Sequence, residues 1–374
     1  MRPLVLLLTL TAALGAQTPA TAKLDPAMAA SQAKAGAALA WHDPSGWGLE
    51  GRLWPEQERR SFYDRLPAAA EKSVPAAVWS LSRDSAGQMV RFRTDAKSIH
   101  VHYKVTKAAL AMPHMPATGV SGVDLYARDA QGHWRWVNVT RPAQAEVRTE
   151  LIGGLDGAAR EYALYLPLYN GVQALEIGVP KGAAFAGLAP RPKPIVFYGT
   201  SITHGACASR PGMVHTAILG RRFDAPVANL GFSGNGRMDA SVGAFLAQVD
   251  AAAFVIDCLP NMGPEQVAER CVPLVKQLRA AQPDTPIVLV EDRRNTNEWL
   301  QPTRRAHHDR NHAALRAAFA ELRKQGVKKL FYIPGDALYG TDGDGATDGS
   351  HASDLGFFRQ ADIFEPILRE ALGR

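Results

Sequence analysis

Cysteine is scarce in this chain, with three in 374 residues at Cys207, Cys258 and Cys271. Three are too few for the disulfide framework of small secreted domains, and their spacing fits no zinc pattern. Two readings stay open: one bridge involving Cys207 or Cys258, or three buried free thiols. Also missing is any block of Lys and Arg interleaved with aromatics. The formal charge of +6 is spread over 42 basic and 36 acidic residues, so nucleic acid is not an expected partner. Beyond the first 16 residues no apolar run is long enough to cross a bilayer, and no stable membrane insertion is expected. Metal and nucleotide signatures fail in turn. Gly231-x-x-Gly234-x-Gly236 lacks dinucleotide spacing. Asp342-Gly343-Asp344-Gly345 begins like a calcium loop but continues Ala346-Thr347 and has Ser353 at its twelfth position. His308 and His312 enclose Asp309 where a zinc protease helix needs Glu, so they read as a solvated helix face. No cofactor and no metal are expected.

What is present is an ordinary globular composition, 46% hydrophobic and 21% charged, on a length that suggests two domains. Arg2, the apolar stretch from Leu4 to Leu14 and the small pair Gly15-Ala16 predict a signal peptide over residues 1–16, and hence an exported protein, periplasmic or extracellular. Residues 17–40 are expected to be a flexible leader, and Trp41 to Tyr63 an irregular cap on a neighbouring domain. From about Val78 apolar residues recur with period two. Ile99, Val101, Tyr103 and Val105 alternate with His100, His102 and Lys104, and the polar-face histidines read as solvated. Further strands are expected over 123–127, 134–139, 162–166 and 175–179, with turn chemistry at Asp129-Ala130-Gln131-Gly132 and Asn170-Gly171. The sequon Asn138-Val139-Thr140 falls in one of them and reads as a chance match. Many short strands without an intervening helix imply an all-β sandwich, jelly-roll-like, over residues 41–188.

Ala189-Pro190-Arg191-Pro192-Lys193-Pro194 is a stiff connector (189–194). Beyond it, over residues 195–374, continuous apolar runs at 195–197, 227–230, 254–256, 287–290 and 330–333 alternate with helical stripes such as Phe357, Ala361, Phe364 and Leu368. Runs of that kind are strands of a parallel sheet covered on both faces, which makes this part a three-layer α/β/α sandwich. Pro273 is expected to kink or shorten its helix.

Polar residues collect where these runs end. Ser201 follows the first, Ser233-Gly234-Asn235 the second and Leu259-Pro260-Asn261 the third, while Asp348 and His351 precede the last helix. Acyl transfer by serine needs a base, a group that orients the base, and donors for the oxyanion. At these blocks the chain resembles the SGNH hydrolases, the serine esterase superfamily also called GDSL, whose fold is flavodoxin-like. Gly199-Thr200-Ser201-Ile202-Thr203 is similar to the nucleophile block, and the other three follow in order. The resemblance implies Ser201 as nucleophile, His351 as base and Asp348 as its orienter, with an oxyanion hole from the N–H groups of Ser201 and Gly234 and the side-chain amide of Asn261. Thr200 stands where the family usually has Asp, and Leu259 where it usually has Gly. Gly122-Val123-Asp124-Leu125-Tyr126 is similar to the Gly-x-Asp-Leu-Tyr motif of a β-rich module ahead of certain secreted members. The expected activity is hydrolysis of carboxylic esters through an acyl-enzyme, with O-acetyl groups on a carbohydrate or polysaccharide as the leading substrate. The alternatives are a lipase or esterase for small or lipidic acyl esters, and a glycan-binding protein without activity.

Overall fold

Strict alternation along Ser98–Val105 turns Ile99, Val101, Tyr103 and Val105 inward and leaves the histidines between them half-buried. Each such apolar side chain contributes about 1.5–3 kcal/mol when fully withdrawn from water. The computed structural model describes residues 38–374. The expected signal peptide and nearly all of the expected leader lie outside that range.

Among the described residues nine strands build the first part: β1 (Leu39–His42), β2 (Met89–Thr94), β3 (Ser98–Val105), β4 (Asp124–Arg128), β5 (Trp134–Val139), β6 (Glu146–Gly153), β7 (Arg160–Tyr165), β8 (Val172–Pro180) and β9 (Phe185–Gly187). They pair antiparallel in two sheets, β1-β8-β3-β6 and β5-β4-β7-β2-β9. Val90, Phe92, Val101, Leu125, Leu164 and Ile177 fill the core of this β-rich module. Two helices interrupt the strands, α1 (Ala76–Ser82) and α2 (Ala117–Val120). Val78, expected to begin the alternating pattern, therefore sits on a helix. Asn138 lies in β5 and donates from Nδ2 to Leu151 O at 2.6 Å. The segment between β1 and β2 acts as the expected cap. Leu53, Trp54 and Leu66 join one buried cluster with Val196 and Phe254, and Trp54 Nε1 donates to Phe245 O at 3.1 Å.

The second part runs β10 (Ile195–Gly199), α3 (Ser201–His204), α4 (His215–Phe223), β11 (Val227–Gly231), α5 (Ala240–Leu246), β12 (Ala253–Asp257), α6 (Pro264–Ala281), β13 (Ile287–Val290), α7 (Pro302–Lys324), β14 (Leu330–Ile333) and α8 (Asp354–Leu372). All five strands are parallel in the order β11-β10-β12-β13-β14. β10, β12 and β13 are buried at every position, because α5, α6 and α7 cover one face and α4 and α8 the other. This is the expected three-layer sandwich. The strand order reverses beside β10, and the crevice at the carboxyl ends of such strands is where open α/β sheets bind ligands. No described helix is long and apolar enough to cross a membrane.

Two expectations are corrected. α6 is not shortened at Pro273 and continues through it for 18 residues. Pro273 and Glu269, whose carbonyl loses its N–H partner, both face solvent, and water can take that bond. His308 and His312 are buried rather than solvated. The loop after β13 closes over them: His308 Nδ1 meets Glu298 Oε2 at 2.5 Å, and His312 Nε2 donates to Asp292 O at 2.9 Å.

Candidate active site

The chain leaves β10 and turns at once into α3. Thr200 caps that turn, its hydroxyl accepting from Ile202 N–H at 3.3 Å. Gly205 ends it in the left-handed region at φ 112°. Ser201 is thereby held in the first position of α3, two residues beyond the end of β10 and 8% exposed. The segment following β11 lies against it. Phe232 N–H donates to Gly199 O at 2.9 Å, and a Cβ on Gly236 would sit 1.9 Å from the same oxygen, so only glycine fits there. Gly234, between them, has φ +69° and open space around it.

Asp348 and His351 need no help from distant sequence to find each other. In the turn before α8, Asp348 Oδ1 accepts from Ser350 N–H at 3.0 Å and His351 N–H at 2.7 Å, while Oδ2 accepts from His351 Nδ1 at 2.7 Å. A carboxylate with the imidazole three residues on thus folds its own turn and fixes the ring's tautomer. Nε2 is left to accept from Ser201 Oγ, 2.8 Å away. Burial acts to raise the Asp348 pKa, but the bonds from His351 N–H, the His351 ring and Ser350 N–H outweigh it and hold the carboxyl below the ordinary range. Tyr339 OH on Ser350 O (2.6 Å) and Thr296 N–H on Gly349 O (2.9 Å) anchor the turn.

Asn261 follows β12 on a short 3-10 turn, Leu259–Asn261. Its carboxamide orientation follows from the hydrogen-bond network. The oxygen accepts from Asn235 N–H at 3.1 Å and Gly236 N–H at 3.2 Å. The three strand ends and the last turn expected from the sequence therefore meet on one rim, with Ser201, His351 and Asp348 in an unbroken chain of hydrogen bonds. Such a chain can carry a proton from the hydroxyl to the imidazole.

Several supporting residues were not singled out from the sequence. Asp257, buried at the end of β12, accepts from Thr203 Oγ1 at 3.1 Å and pairs with the buried guanidinium of Arg293, Nη2 to Oδ2 being 2.6 Å. Burial pulls the Arg293 pKa down, but Asp257 outweighs it and the net shift is upward. Arg293 Nε in turn donates to Gln360 Oε1 at 2.7 Å, which ties both strands to α8. The run Glu291-Asp292-Arg293-Arg294 directly after the apolar β13 marked a strand end, though not this pairing. Arg65, also buried, donates to Asn229 O at 3.0 Å and Gly231 O at 2.8 Å, fastening the cap to the end of β11. Burial lowers its pKa only to about 10, so it stays charged. From the β-rich module, Tyr169 OH donates to Ser201 O at 3.3 Å, and its ring stacks on His204 at 4.1 Å. His114, on an exposed loop of that module, brings its ring to 6.4 Å from that of His351. Cys207, Cys258 and Cys271 are buried and free, so the bridge left open by the sequence is not formed.

Residues 192–369 match the GDSL-like lipase/acylhydrolase family, and residues 39–185 match the N-terminal module of SGNH-hydrolase-type esterases. Among solved structures, the chain is 34% identical to a candidate GDSL-like lipase from Bacteroides ovatus, with TM-score 0.85 over 90% of this chain and 98% of that one. A salicylyl-acyltransferase of a tetracycline biosynthetic pathway aligns at TM-score 0.71 and 18% identity, covering 90% and 98% of the two chains. An acetyl xylan esterase from the rumen bacterium Butyrivibrio proteoclasticus shares the fold at TM-score 0.56 and 11% identity, covering 90% and 99%. No curated protein matches the chain.

Proposed function

Since the chain belongs to the GDSL-like lipase/acylhydrolase family and is an SGNH-type ester hydrolase, we propose that Ser201 is its nucleophile and that its substrate is an O-acetylated carbohydrate met outside the cytoplasm. The observation that carries the mechanism is the relay from Ser201 Oγ to His351 Nε2 at 2.8 Å and from His351 Nδ1 to Asp348 at 2.7 Å. Ser201 Oγ attacks the ester carbon while its proton passes to His351 Nε2. The negative oxygen of the tetrahedral intermediate takes hydrogen bonds from Ser201 N–H, Gly234 N–H and Asn261 Nδ2. Collapse expels the alcohol, which leaves with the proton from His351. Water repeats the sequence on the acyl-enzyme, and Asp348 stabilises the imidazolium each time.

Support for a sugar comes from the rim. Trp299, 68% exposed, stands on a loop whose Thr296 N–H is bonded to Gly349 O at 2.9 Å in the turn of Asp348, where an indole can stack on a pyranose face. The expected signal peptide over residues 1–16 favours export. Acetate release from a panel of acetylated polysaccharides, beside aryl esters of increasing acyl length, tests the reading. Wild type releases acetate, and Ser201→Ala loses on the order of 10³ to 10⁶ in turnover without a lower melting temperature. Preference for long acyl chains would favour a lipase instead. Failure of a serine-directed phosphonate to label Ser201 would leave a glycan-binding protein.

A further inference from the structure

Cys207 plays no part in that mechanism, yet it lies against it. One ligand atom each from the Cys207 thiol, the Asp348 carboxylate and the His351 imidazole lie within 4.8 Å of one another. Around a tetrahedral zinc at Zn–N and Zn–S lengths of about 2.0–2.3 Å, ligand atoms sit about 3.5 Å apart, a separation that small side-chain rotations reach from here. The position of Cys207 is also enforced. Its φ of +68° is a left-handed conformation that a non-glycine residue adopts at a cost of about 1–3 kcal/mol. The loop around it is pinned on both sides. Ala206 N–H donates to Ser201 O at 2.9 Å, Thr118 Oγ1 to Ser209 O at 2.5 Å, and Ser209 N–H to Asp354 Oδ1 at 2.9 Å. Strain held so firmly beside reacting groups is a reason to look for a use.

We propose that Cys207, Asp348 and His351 form a reversible binding site for zinc or a similar divalent transition cation, and that its occupation switches the esterase off. One thiolate, one carboxylate and one neutral imidazole are the donors zinc prefers. Together they cancel its two positive charges, which suits a half-buried site. On binding, the Cys207 thiol gives up its proton to solvent as the Zn–S bond forms. His351 Nδ1 exchanges its hydrogen bond with Asp348 for the metal: the Nδ1 proton passes to solvent and Nε2 takes one up from solvent, so the ring stays neutral with its single proton moved to Nε2. Nε2 then donates towards Ser201 Oγ instead of accepting from it, and the nucleophile has no base. This loss of activity rests on the function proposed above, whereas the binding does not.

Cobalt(II) titrated into the full-length protein tests the site directly, because a thiolate ligand gives a charge-transfer absorption that oxygen and nitrogen ligands do not. One equivalent producing that band, displaced by zinc, is expected in wild type and in Ser201→Ala. The band is expected to vanish in Cys207→Ala and in Cys207→Gly, the second of which suits the left-handed backbone and guards against misfolding. Zinc is expected to inhibit wild-type hydrolysis. In both Cys207 variants, each normalised to its own metal-free rate, the inhibitory concentration should rise by at least the roughly 10- to 100-fold that loss of even an outer partner costs. No thiolate band in wild type, or an unchanged band in the Cys207 variants, overturns the site. The band present with zinc inhibition unaltered in those variants overturns the switch. Absent hydrolysis with the band intact would count against the esterase reading alone.

Discussion

Asn261 has two ends with separable tasks. Its oxygen accepts from Asn235 N–H and Gly236 N–H and so holds the turn after β11. Its nitrogen is left to meet an oxygen that becomes fully negative only as Ser201 attacks, so that bond is stronger in the transition state than in the bound ester. Asn261→Ala should lower kcat by about 10² to 10³, roughly 3–4 kcal/mol, with little change in KM. Both N–H groups also donate to Phe232 O, at 2.8 and 2.9 Å, so the accompanying loss of stability should stay below about 1 kcal/mol for each. α6 has its N-cap at Gly263, so the Asn261 side chain does not cap that helix. Asn261→Asp keeps the accepting oxygen and removes the donor, so it should retain the melting temperature while losing turnover. Unchanged kcat in the Asp variant would remove Asn261 from the oxyanion hole. The residues proposed to react could be picked out in sequence because each sits in a short block whose geometry is local, as the three-residue step from Asp348 to His351 illustrates. Their supports were not. Arg65 bonds carbonyls more than 160 positions away, and a buried arginine is the opposite of what composition suggests. His308 and His312 shared a helix face as read, but periodicity says nothing of the loop that covers it.

Strand β4 explains a whole motif by alternation. Val123 and Leu125 point into the sandwich core, while Asp124 and Tyr126 point to the segment that joins α3 to α4. Asp124 Oδ2 accepts from Arg210 Nη1 at 2.9 Å and Gly212 N–H at 2.8 Å, and Oδ1 accepts from Trp136 Nε1 at 2.9 Å. A Cβ on Gly212 would lie 2.4 Å from the Tyr126 ring. The Gly-x-Asp-Leu-Tyr strand is thus the clamp that seats the loop following the turn of Ser201. Asp124→Ala leaves Arg210 without its carboxylate and should cost about 3–5 kcal/mol. Gly212→Ala should disturb the same clamp by steric overlap, and both should lower kcat/KM because the turn of Ser201 loses its backing. Thermal melts and kinetics at a temperature where both variants are folded check this. A wild-type melting temperature in Asp124→Ala would refute the clamp. Most strands recovered from sequence have one fully buried face or two, while β5 was recovered from its aromatic and β-branched run although none of its residues is buried. β1 is half-buried throughout, β6 is an edge strand, and β9 has three residues, so none has a buried stripe long enough to read.

At the scale of the whole molecule, two buried histidines make the protein acid-labile from within. His204 lies where the β-rich module meets the turn of Ser201, Nε2 donating to Leu168 O at 2.7 Å. His215 lies inside the α/β core, its ring parallel to Phe357 at 5.8 Å and edge-on to Phe197, and neither of its nitrogens has a partner among the described residues. Burial first, and then the positive charge of Arg65 or Arg293, hold both pKa values well below the usual histidine range. A histidine depressed in the folded state stays neutral while its unfolded counterpart takes a proton. Its contribution is therefore full above about pH 6.5 and lost as pH falls below it, at up to about 1.4 kcal/mol per pH unit for each group. Asp64 and Asp292 act in the opposite sense. Burial raises each to about 6, so they bind protons earlier in the folded state and offset the loss between about pH 6 and 4. The pH profile of the wild type alone is therefore a sum, and a single substitution isolates one member of it. His215→Phe removes one titrating group and leaves the others in place. At pH 8 its effect balances two nitrogens relieved of an unpartnered burial against the extra volume of the ring. Below pH 6.5 the stability of the variant relative to wild type should climb by about 1.4 kcal/mol per pH unit whatever its value at pH 8. Urea unfolding of both proteins at pH 8, 6.5 and 5.5 measures that difference, and a difference that stays constant would mean His215 is protonated in the folded protein.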